Sequence, residues 1–307
     1  MRAILCPGQG SQRPGLLTAW TGTDESREHV RRLGDWAGLD LLEHGTRSDA
    51  ETLRDTAVAQ PLIVAAGLLA WARLAGRAGR PAPADLLVAG HSVGEITAAV
   101  IAGVLTEQEG MRLAAGRGRA MAAAASREPS GMVAVVGTTL ERLTERLDGE
   151  DLHLANHNGA GQFVVGGSRP ALERLRADPP AQAHVIALRV AGAFHTPYMA
   201  QAVPEVQELI AGFSPADPVA TLVSNRGGQV LTNGSEVTAA LLTQMLAPVR
   251  WDLTMQSLFA AGLQEAVELP PAKTLQGLLE RAHPQVQCLR LDNPGDVESS
   301  QWVRVTA

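Results

Sequence analysis

The chain has 307 residues, of which 45% are hydrophobic and only 3% are aromatic. This length and composition allow a sizeable core of small and aliphatic side chains, so they exclude a disordered chain and predict a globular α/β protein. The formal net charge of -6 argues against a general nucleic-acid binder or a binder of anionic membranes, because both need a basic surface.

Cysteine and histidine usage gives no sign of a metal site. Two cysteines are too few for a disulfide framework or a structural zinc site, and the eight histidines lack metal-ligand spacing.

The first apolar run ends after a few residues, and no later stretch reaches the roughly 18 apolar residues of a membrane span. We therefore expect a cytoplasmic protein that binds no membrane, and nothing demands more than a monomer.

The chain begins with a short apolar strand, Ala3 to Cys6, which runs into the loop Pro7-Gly8-Gln9-Gly10-Ser11-Gln12. Loops at strand ends carry the chemistry of α/β sheets, and two glycines permit close backbone approach to a ligand. A tight turn with no contact to substrate remains the alternative. Helical patterns follow from Asp24 to Arg80, including a nearly apolar helix through Leu74, and Arg77 to Pro83 is predicted to be a linker.

The next apolar strand leads into a candidate nucleophile. Leu86 to Ala89 precede Gly90-His91-Ser92-Val93-Gly94, and a helical pattern follows at once. A G-x-S-x-G motif between a buried strand and a helix is typical of the nucleophile elbow, in which flanking glycines allow a sharp turn that presents the serine hydroxyl. Ser92 is therefore the first candidate nucleophile, and an ordinary glycine-rich loop is the alternative.

A further helix is predicted from Thr106 through Met121, and it carries three arginines. Arg112 and Arg119 are expected to be solvated, whereas Arg117 lies at a different angle on the helix because successive residues turn by about 100°. Periodicity alone does not decide whether Arg117 points toward Ser92.

Residues 127–190 change character and are predicted to form strand, helix, two strands, helix and strand. This β-α-β-β-α-β order is the ferredoxin-like arrangement, and we interpret it as a small inserted domain. Its hairpin, Asn156 to Gln162, is rich in asparagine and glycine. These are ordinary turn residues, and the alternative is that Asn156 lines a cleft between the domains.

Residues 191–307 are predicted to return to the larger domain, which also includes residues 1–126. His195 stands after a strand and before a helix started by Pro197, which is where a partner for Ser92 is expected in an α/β sheet. Further helices and strands alternate, with Pro248 to Trp251 opening one helix. Alternation of this kind indicates a mainly parallel sheet, and the fold class is α/β with a large α/β-hydrolase-like domain.

Four separated stretches together resemble the malonyl-CoA:acyl carrier protein transacylases of bacterial fatty-acid synthesis and, more distantly, the acyltransferase domains of polyketide synthases. The matching stretches are Pro7 to Gln12, Gly90 to Glu95, Gly116 to Arg119 and Gly192 to His195. Asn156 to Gln162 and Pro248 to Trp251 also fit, so the resemblance covers nearly the whole chain.

The resemblance implies roles for individual residues. Ser92 would attack the thioester of malonyl-CoA and His195 would act as general base, oriented by the backbone carbonyl at Arg250 rather than by an acid. Backbone N–H groups of Gln9 and Val93 would form the oxyanion hole. The substrate-binding residues would be Arg117 for the malonyl carboxylate, Phe194 for the space beside the α-carbon, His91 and Asn156.

The implied reaction is malonyl transfer to the phosphopantetheine thiol of acyl carrier protein, with no cofactor. Carrier proteins are typically acidic, so we expect a local basic patch near the cleft. Three alternatives stay open: an acyltransferase of a polyketide assembly line, a serine hydrolase such as a thioesterase, and a catalytically silent scaffold that keeps the fold. Retention of Ser92, His195 and Arg117 argues against the last, and Arg117 together with the lack of an evident acid partner argues against the hydrolase.

Overall fold

A computed structural model describes residues 1–76, 82–300 and 302. Residues 77–81 of the predicted linker lie outside the described residues. The helices of the described residues are α1 (Asp24–Ala37), α2 (Leu41–Thr46), α3 (Thr56–Leu74), α4 (Gly94–Ile101), α5 (Glu107–Arg127), α6 (Leu140–Leu147), α7 (Arg169–Ala177), α8 (Val203–Ala211), α9 (Gly234–Thr243), α10 (Trp251–Ala260), α11 (Thr274–Ala282) and α12 (Pro294–Ser299). Short 3-10 helices cover Ala19–Thr21, Thr52–Arg54 and Pro197–Ala202.

The described strands form two sheets. They are β1 (Arg2–Cys6), β2 (Leu86–Gly90), β3 (Ser130–Val136), β4 (Leu152–Gly159), β5 (Gln162–Ser168), β6 (His184–Ala187), β7 (Thr221–Val223), β8 (Val230–Leu231), β9 (Val249–Arg250), β10 (Glu265–Glu268) and β11 (Gln287–Arg290). The first sheet has the order β11-β10-β1-β2-β7-β8, and the second has the order β6-β3-β5-β4-β9. The protein therefore has an α/β fold with mixed sheets.

The first sheet is parallel except for the hairpin-like pairing of β7 with β8. Its central strands alternate between two buried layers, because successive strand residues point to opposite faces. Ile4 and Val88 pack into the core that contains α3 and α5, whereas Leu5 and Leu87 pack into the core that contains α10 and α11. Helices on both faces thus bury this sheet, and the carboxyl ends of its parallel strands meet at one edge.

Helix α3 is the one described helix that is long and apolar enough to cross a membrane, and 83% of that stretch is buried inside the protein. It packs mainly against α5. Thr56–Leu74 is therefore the central helix of the core.

The second sheet is built mainly from residues 130–187, in which the elements follow the order β3, α6, β4, β5, α7 and β6. One face of this sheet packs on α6 and α7 through residues such as Phe163 and Leu172. The other face, including Met132 and Val164, joins the main core. The two sheets therefore face a shared interior, and the edge at which the parallel strands end opens toward it.

Two local predictions are wrong. Val249 and Arg250 form strand β9, which pairs with β4 in parallel, and the helix expected from Pro248 begins only at Trp251. The backbone N–H of Arg250 donates to the carbonyl of Asn225 at 2.6 Å, which holds this segment extended. The expected hairpin from Asn156 is also shorter than predicted, because β4 continues through Gly159.

Candidate active site

The turn after β2 brings Ser92 to the edge of the first sheet. Ser92 has a backbone φ of 54°, in the left-handed region that non-glycine residues rarely adopt. The flanking glycines are needed for space, because a Cβ on Gly94 would lie 2.0 Å from the carbonyl oxygen of Cys6. The local backbone therefore has the strained, closely packed geometry of a nucleophile elbow.

The loop after β1 lies directly on this turn. The N–H of His91 donates to the carbonyl of Cys6 at 2.9 Å, and a Cβ on Gly8 would lie 2.5 Å from the carbonyl oxygen of His91. Gln9 lies in the same loop, and its side-chain oxygen accepts a hydrogen bond from the Thr56 hydroxyl at 2.8 Å. Packing and hydrogen bonding thus fix the backbone of this loop beside Ser92.

His195 forms a hydrogen-bonded pair with Ser92. Its Nε2 lies 2.6 Å from Ser92 Oγ, and its Nδ1 lies 2.7 Å from the backbone carbonyl of Gln244. A carbonyl only accepts, so Nδ1 carries the hydrogen and Nε2 is free to accept the serine proton. Burial and, less strongly, the charge of Arg117 lower the pKa of His195 to about 3, so the ring is neutral near pH 7.

The prediction that the carbonyl of Arg250 orients His195 is wrong, because that partner is Gln244. Arg250 is the N-cap of α10, and its carbonyl accepts a hydrogen bond from the Thr254 hydroxyl at 3.1 Å. Its guanidinium pairs with Asp252 through two contacts of 2.9 and 2.7 Å. Gln244 follows the end of α9, where carbonyl groups lack helical partners, so its oxygen is available to the imidazole.

Arg117 projects from α5 to the same point and is only 2% exposed. Its two terminal nitrogens donate to Gln60 Oε1 at 2.6 Å and to Gln244 Oε1 at 2.9 Å, and Nη2 also lies 3.4 Å from Ser92 Oγ. The buried Nε has no hydrogen-bond partner within the part of the chain that the structure describes. Burial lowers the pKa of Arg117 to about 10, so the guanidinium stays charged near neutral pH with N–H groups left for an anion.

The remaining predicted residues line the same cavity, which has a volume of about 500 Å³. Val93 is the N-cap of α4, so its N–H belongs to the helix end whose N–H groups lack helical acceptors. Phe194 and Asn156 are buried in the cavity wall. The His91 ring lies 3.0 Å from Asn158 Oδ1 through its Nε2 and packs against Trp251, and burial lowers its pKa.

Several polar residues of this site were not identified from the sequence. Gln60, Glu95, Asn225 and Gln244 form a buried hydrogen-bonded chain around Arg117. A signal was present for two of them, because Gln60 and Glu95 are long polar side chains within largely apolar stretches of their helices. Among the described residues, no group of three or more histidines, cysteines or acidic residues is arranged to hold a metal ion.

Comparisons with known proteins agree over nearly the full length. A model of the acyl transferase domain family matches residues 4–294. The malonyl CoA-acyl carrier protein transacylase of Mycobacterium tuberculosis is 45% identical over 301 residues, which are 97% of this chain and 98% of that protein. The crystal structure of MCAT from Mycobacterium tuberculosis has a TM-score of 0.91 at 44% identity, covering 97% of this chain and 98% of the other.

A second similar structure is a malonyl-transacylase in complex with its type II polyketide synthase acyl-carrier protein. Its TM-score is 0.87 at 27% identity, and the match covers 97% of this chain and 98% of that chain.

Proposed function

The chain belongs to the acyl transferase domain family, and on that premise we propose that it transfers malonyl groups from malonyl-CoA to the phosphopantetheine thiol of acyl carrier protein. It is an acyl-carrier-protein S-malonyltransferase that supplies extender units for fatty-acid synthesis, in line with its 45% identity to a transacylase of that name. One observation carries the proposal: the hydrogen-bonded Ser92 and His195 share a cavity with a buried, charged Arg117.

The reaction proceeds in two half-reactions through an ester on Ser92. Ser92 Oγ attacks the thioester carbonyl while its proton passes to His195 Nε2, 2.6 Å away. The tetrahedral intermediate collapses, the C–S bond breaks, and the imidazolium returns the proton to the coenzyme A thiolate. The carrier thiol then attacks the malonyl ester, gives its proton to His195, and Ser92 leaves as the alcohol after that proton returns to Oγ.

The carbonyl of Gln244 supports both steps because it accepts from Nδ1 at 2.7 Å. It follows the C-terminal end of α9, which carries partial negative charge, so it stabilises the transient imidazolium. Backbone N–H groups of Gln9 and Val93 receive the developing oxyanion. One such donor is worth roughly 3 to 4 kcal/mol in rate.

Acyl selection rests on Arg117. The free N–H groups of its planar guanidinium match the two oxygens of the malonyl carboxylate, a geometry that lysine does not reproduce. Acetyl-CoA has no carboxylate to pair with this buried charge. Phe194 fills the space beside the α-carbon, and His91 and Asn156 complete the wall around the bound acyl group.

Carrier protein and coenzyme A approach the mouth of the cavity. Arg54 and Arg189 line the cavity, both side chains are exposed, and within the described residues neither forms an ion pair. They provide the local positive charge that an acidic carrier protein requires, despite the overall charge of -6. No cofactor takes part, since coenzyme A and phosphopantetheine are parts of the substrates.

The domain division that we propose is a hydrolase-like domain of residues 1–126 and 191–307 and a ferredoxin-like domain of residues 127–190. The parallel strands of the first sheet support the former, and the second sheet's order β6-β3-β5-β4 supports the latter. We place this enzyme in the cytoplasm as a monomer that binds neither nucleic acid nor membrane.

A second candidate is a discrete acyltransferase that serves a polyketide synthase. It is favoured by the likeness to the malonyl-transacylase bound to a polyketide carrier protein. The chemistry at Ser92 is the same in both cases, and only the accepting carrier differs.

Intact-protein mass spectrometry tests the proposal. Brief mixing with malonyl-CoA is expected to add one malonyl group, which is absent in Ser92→Ala and is discharged by a fatty-acid carrier protein. Discharge only by a polyketide carrier supports the second candidate. Fast release of malonate without a carrier indicates a hydrolase, and no adduct with any acyl-CoA overturns the proposal.

A further inference from the structure

Glu95 is a buried carboxylate that the reaction above does not use. It lies on α4, three residues after Ser92, and is 5% exposed. Its Oε1 accepts the backbone N–H of Asn225 at 2.6 Å, and its Oε2 accepts Nε2 of Gln244 at 2.5 Å. Burial raises the pKa of Glu95 to about 7, so the side chain is only partly ionised near neutral pH, and the two hydrogen bonds that its oxygens accept fit the ionised form.

Gln244 stands between this carboxylate and Arg117. Its Nε2 donates to Glu95, while its Oε1 accepts from Arg117 Nη2 at 2.9 Å. An ionised carboxylate has only acceptors, and a guanidinium has only donors. The amide of Gln244 therefore satisfies both neighbours in one orientation, with nitrogen toward Glu95 and oxygen toward Arg117.

We infer that Glu95 is a positioning residue for acyl selection, acting through the amide of Gln244 to hold Arg117 in place for the acyl carboxylate. Gln60 holds the other terminal nitrogen of Arg117 at 2.6 Å, so the two glutamines fix the plane of the guanidinium. The role rests on the proposed function, because it requires a substrate with a free carboxylate.

A neutral amide at position 95 no longer fixes the orientation of the Gln244 amide. The oxygen of the new amide still accepts the Asn225 N–H, so its NH2 group faces Gln244 and favours the orientation in which the Gln244 oxygen points toward position 95. In the flipped orientation the Gln244 nitrogen faces the Arg117 donors, and the guanidinium loses its acceptor. His195 is unaffected by the flip, because it contacts the backbone carbonyl of Gln244. The fall in acylation rate is therefore confined to substrates that bind to Arg117.

The experiment compares acylation of Ser92 by malonyl-CoA and by acetyl-CoA in Glu95→Gln, using rapid quenching and intact-protein mass spectrometry. We expect the second-order rate constant for malonyl-CoA to fall at least tenfold and that for acetyl-CoA to change less than threefold. Gln244→Ala removes the bridging amide but keeps the backbone carbonyl, and it is expected to lower the same ratio. Gln244→Ala also tests the inference if Glu95→Gln does not fold.

Glu109→Gln is the matched control, since both oxygens of the Glu109 carboxylate likewise accept N–H groups, here the backbone N–H groups of Thr106 and Ser214, but Glu109 lies outside the cavity. Its malonyl-to-acetyl ratio is expected to equal that of the wild type. The inference is overturned if the rate constants for malonyl-CoA and acetyl-CoA fall equally in Glu95→Gln and Gln244→Ala, or if their ratio does not change. Glu95 is then a structural residue only. A wild-type enzyme that malonyl-CoA does not acylate overturns the proposed function instead.

Discussion

Replacing Arg117 with alanine removes the group that we expect to distinguish malonyl-CoA from acetyl-CoA. Gln60 and Gln244 use one N–H on each terminal nitrogen and Nη2 also makes a long contact of 3.4 Å with Ser92 Oγ, whereas the Nε has no partner among the described residues. A hydrogen bond to a charged group contributes about 1.5 to 3 kcal/mol net, so a bidentate carboxylate contributes roughly 3 to 6 kcal/mol. The malonyl acylation rate constant should therefore fall by about 10² to 10⁴-fold.

The assay is single-turnover acylation of Ser92, with the malonyl rate constant divided by the acetyl rate constant. This ratio cancels any loss of folded enzyme, which matters because alanine leaves the side-chain oxygens of Gln60 and Gln244 without their donor. Arg117→Lys is the matched control, since it keeps the charge without the planar fork, and an intermediate ratio is expected. A ratio within threefold of the wild type in Arg117→Ala would refute the assignment of Arg117 to the acyl carboxylate.

Three further predictions test the turn, the cavity mouth and the base. Gly94→Ala should prevent formation of the elbow, because its Cβ would lie 2.0 Å from a backbone oxygen; a variant with the wild-type Tm would contradict this. Charge reversal of both Arg54 and Arg189 to glutamate should raise KM for the carrier protein at least tenfold at low salt and much less at high salt, where charges are screened; equal KM values at low salt would argue against docking there. Burial lowers the pKa of His195 from 6.5 to about 3, so the unfolded chain binds a proton that the folded chain does not. The stability from this group is complete above pH 6.5 and is lost as pH falls toward 3, by about 1.4 kcal/mol per pH unit. Urea unfolding of His195→Gln should therefore show a shallower decline between pH 6.5 and 4, and equal slopes would count against a buried neutral histidine.

Local sequence patterns were sufficient to predict the structure where neighbouring residues in the chain alone determine the geometry. The glycines that flank Ser92 predict a turn after a buried strand, and the structure has that turn with φ of 54° at the serine. The angular argument for α5 also holds, because Arg112 and Arg119 are exposed whereas Arg117 is buried. In each case the signal lies within a few residues of the feature it predicts.

Long-range pairings were not predictable in the same way. Strand β9 has only two residues, and it forms because β4 and the Asn225 carbonyl offer backbone partners that are distant in sequence. Gln60 and Gln244 are 184 positions apart, yet both hold the same guanidinium. A single sequence contains no pattern for such a convergence, although Glu95 in an apolar helix indicates that some buried partner exists.

The partner of His195 was unpredictable for a different reason. A backbone carbonyl orients the imidazole here, a role that a side-chain carboxylate often has. A carboxylate beside His195 would place negative charge near the acyl carboxylate, and the two would compete for Arg117. The neutral carbonyl of Gln244 avoids this competition and still accepts from Nδ1 at 2.7 Å. Glu95 lies behind the Gln244 amide, where its ionised form offsets the charge of Arg117 without facing the bound acyl group. A malonyl-selecting serine enzyme thus has an electrostatic reason to orient its base with a carbonyl, and sequence reasoning that searches for an acidic side chain does not find it.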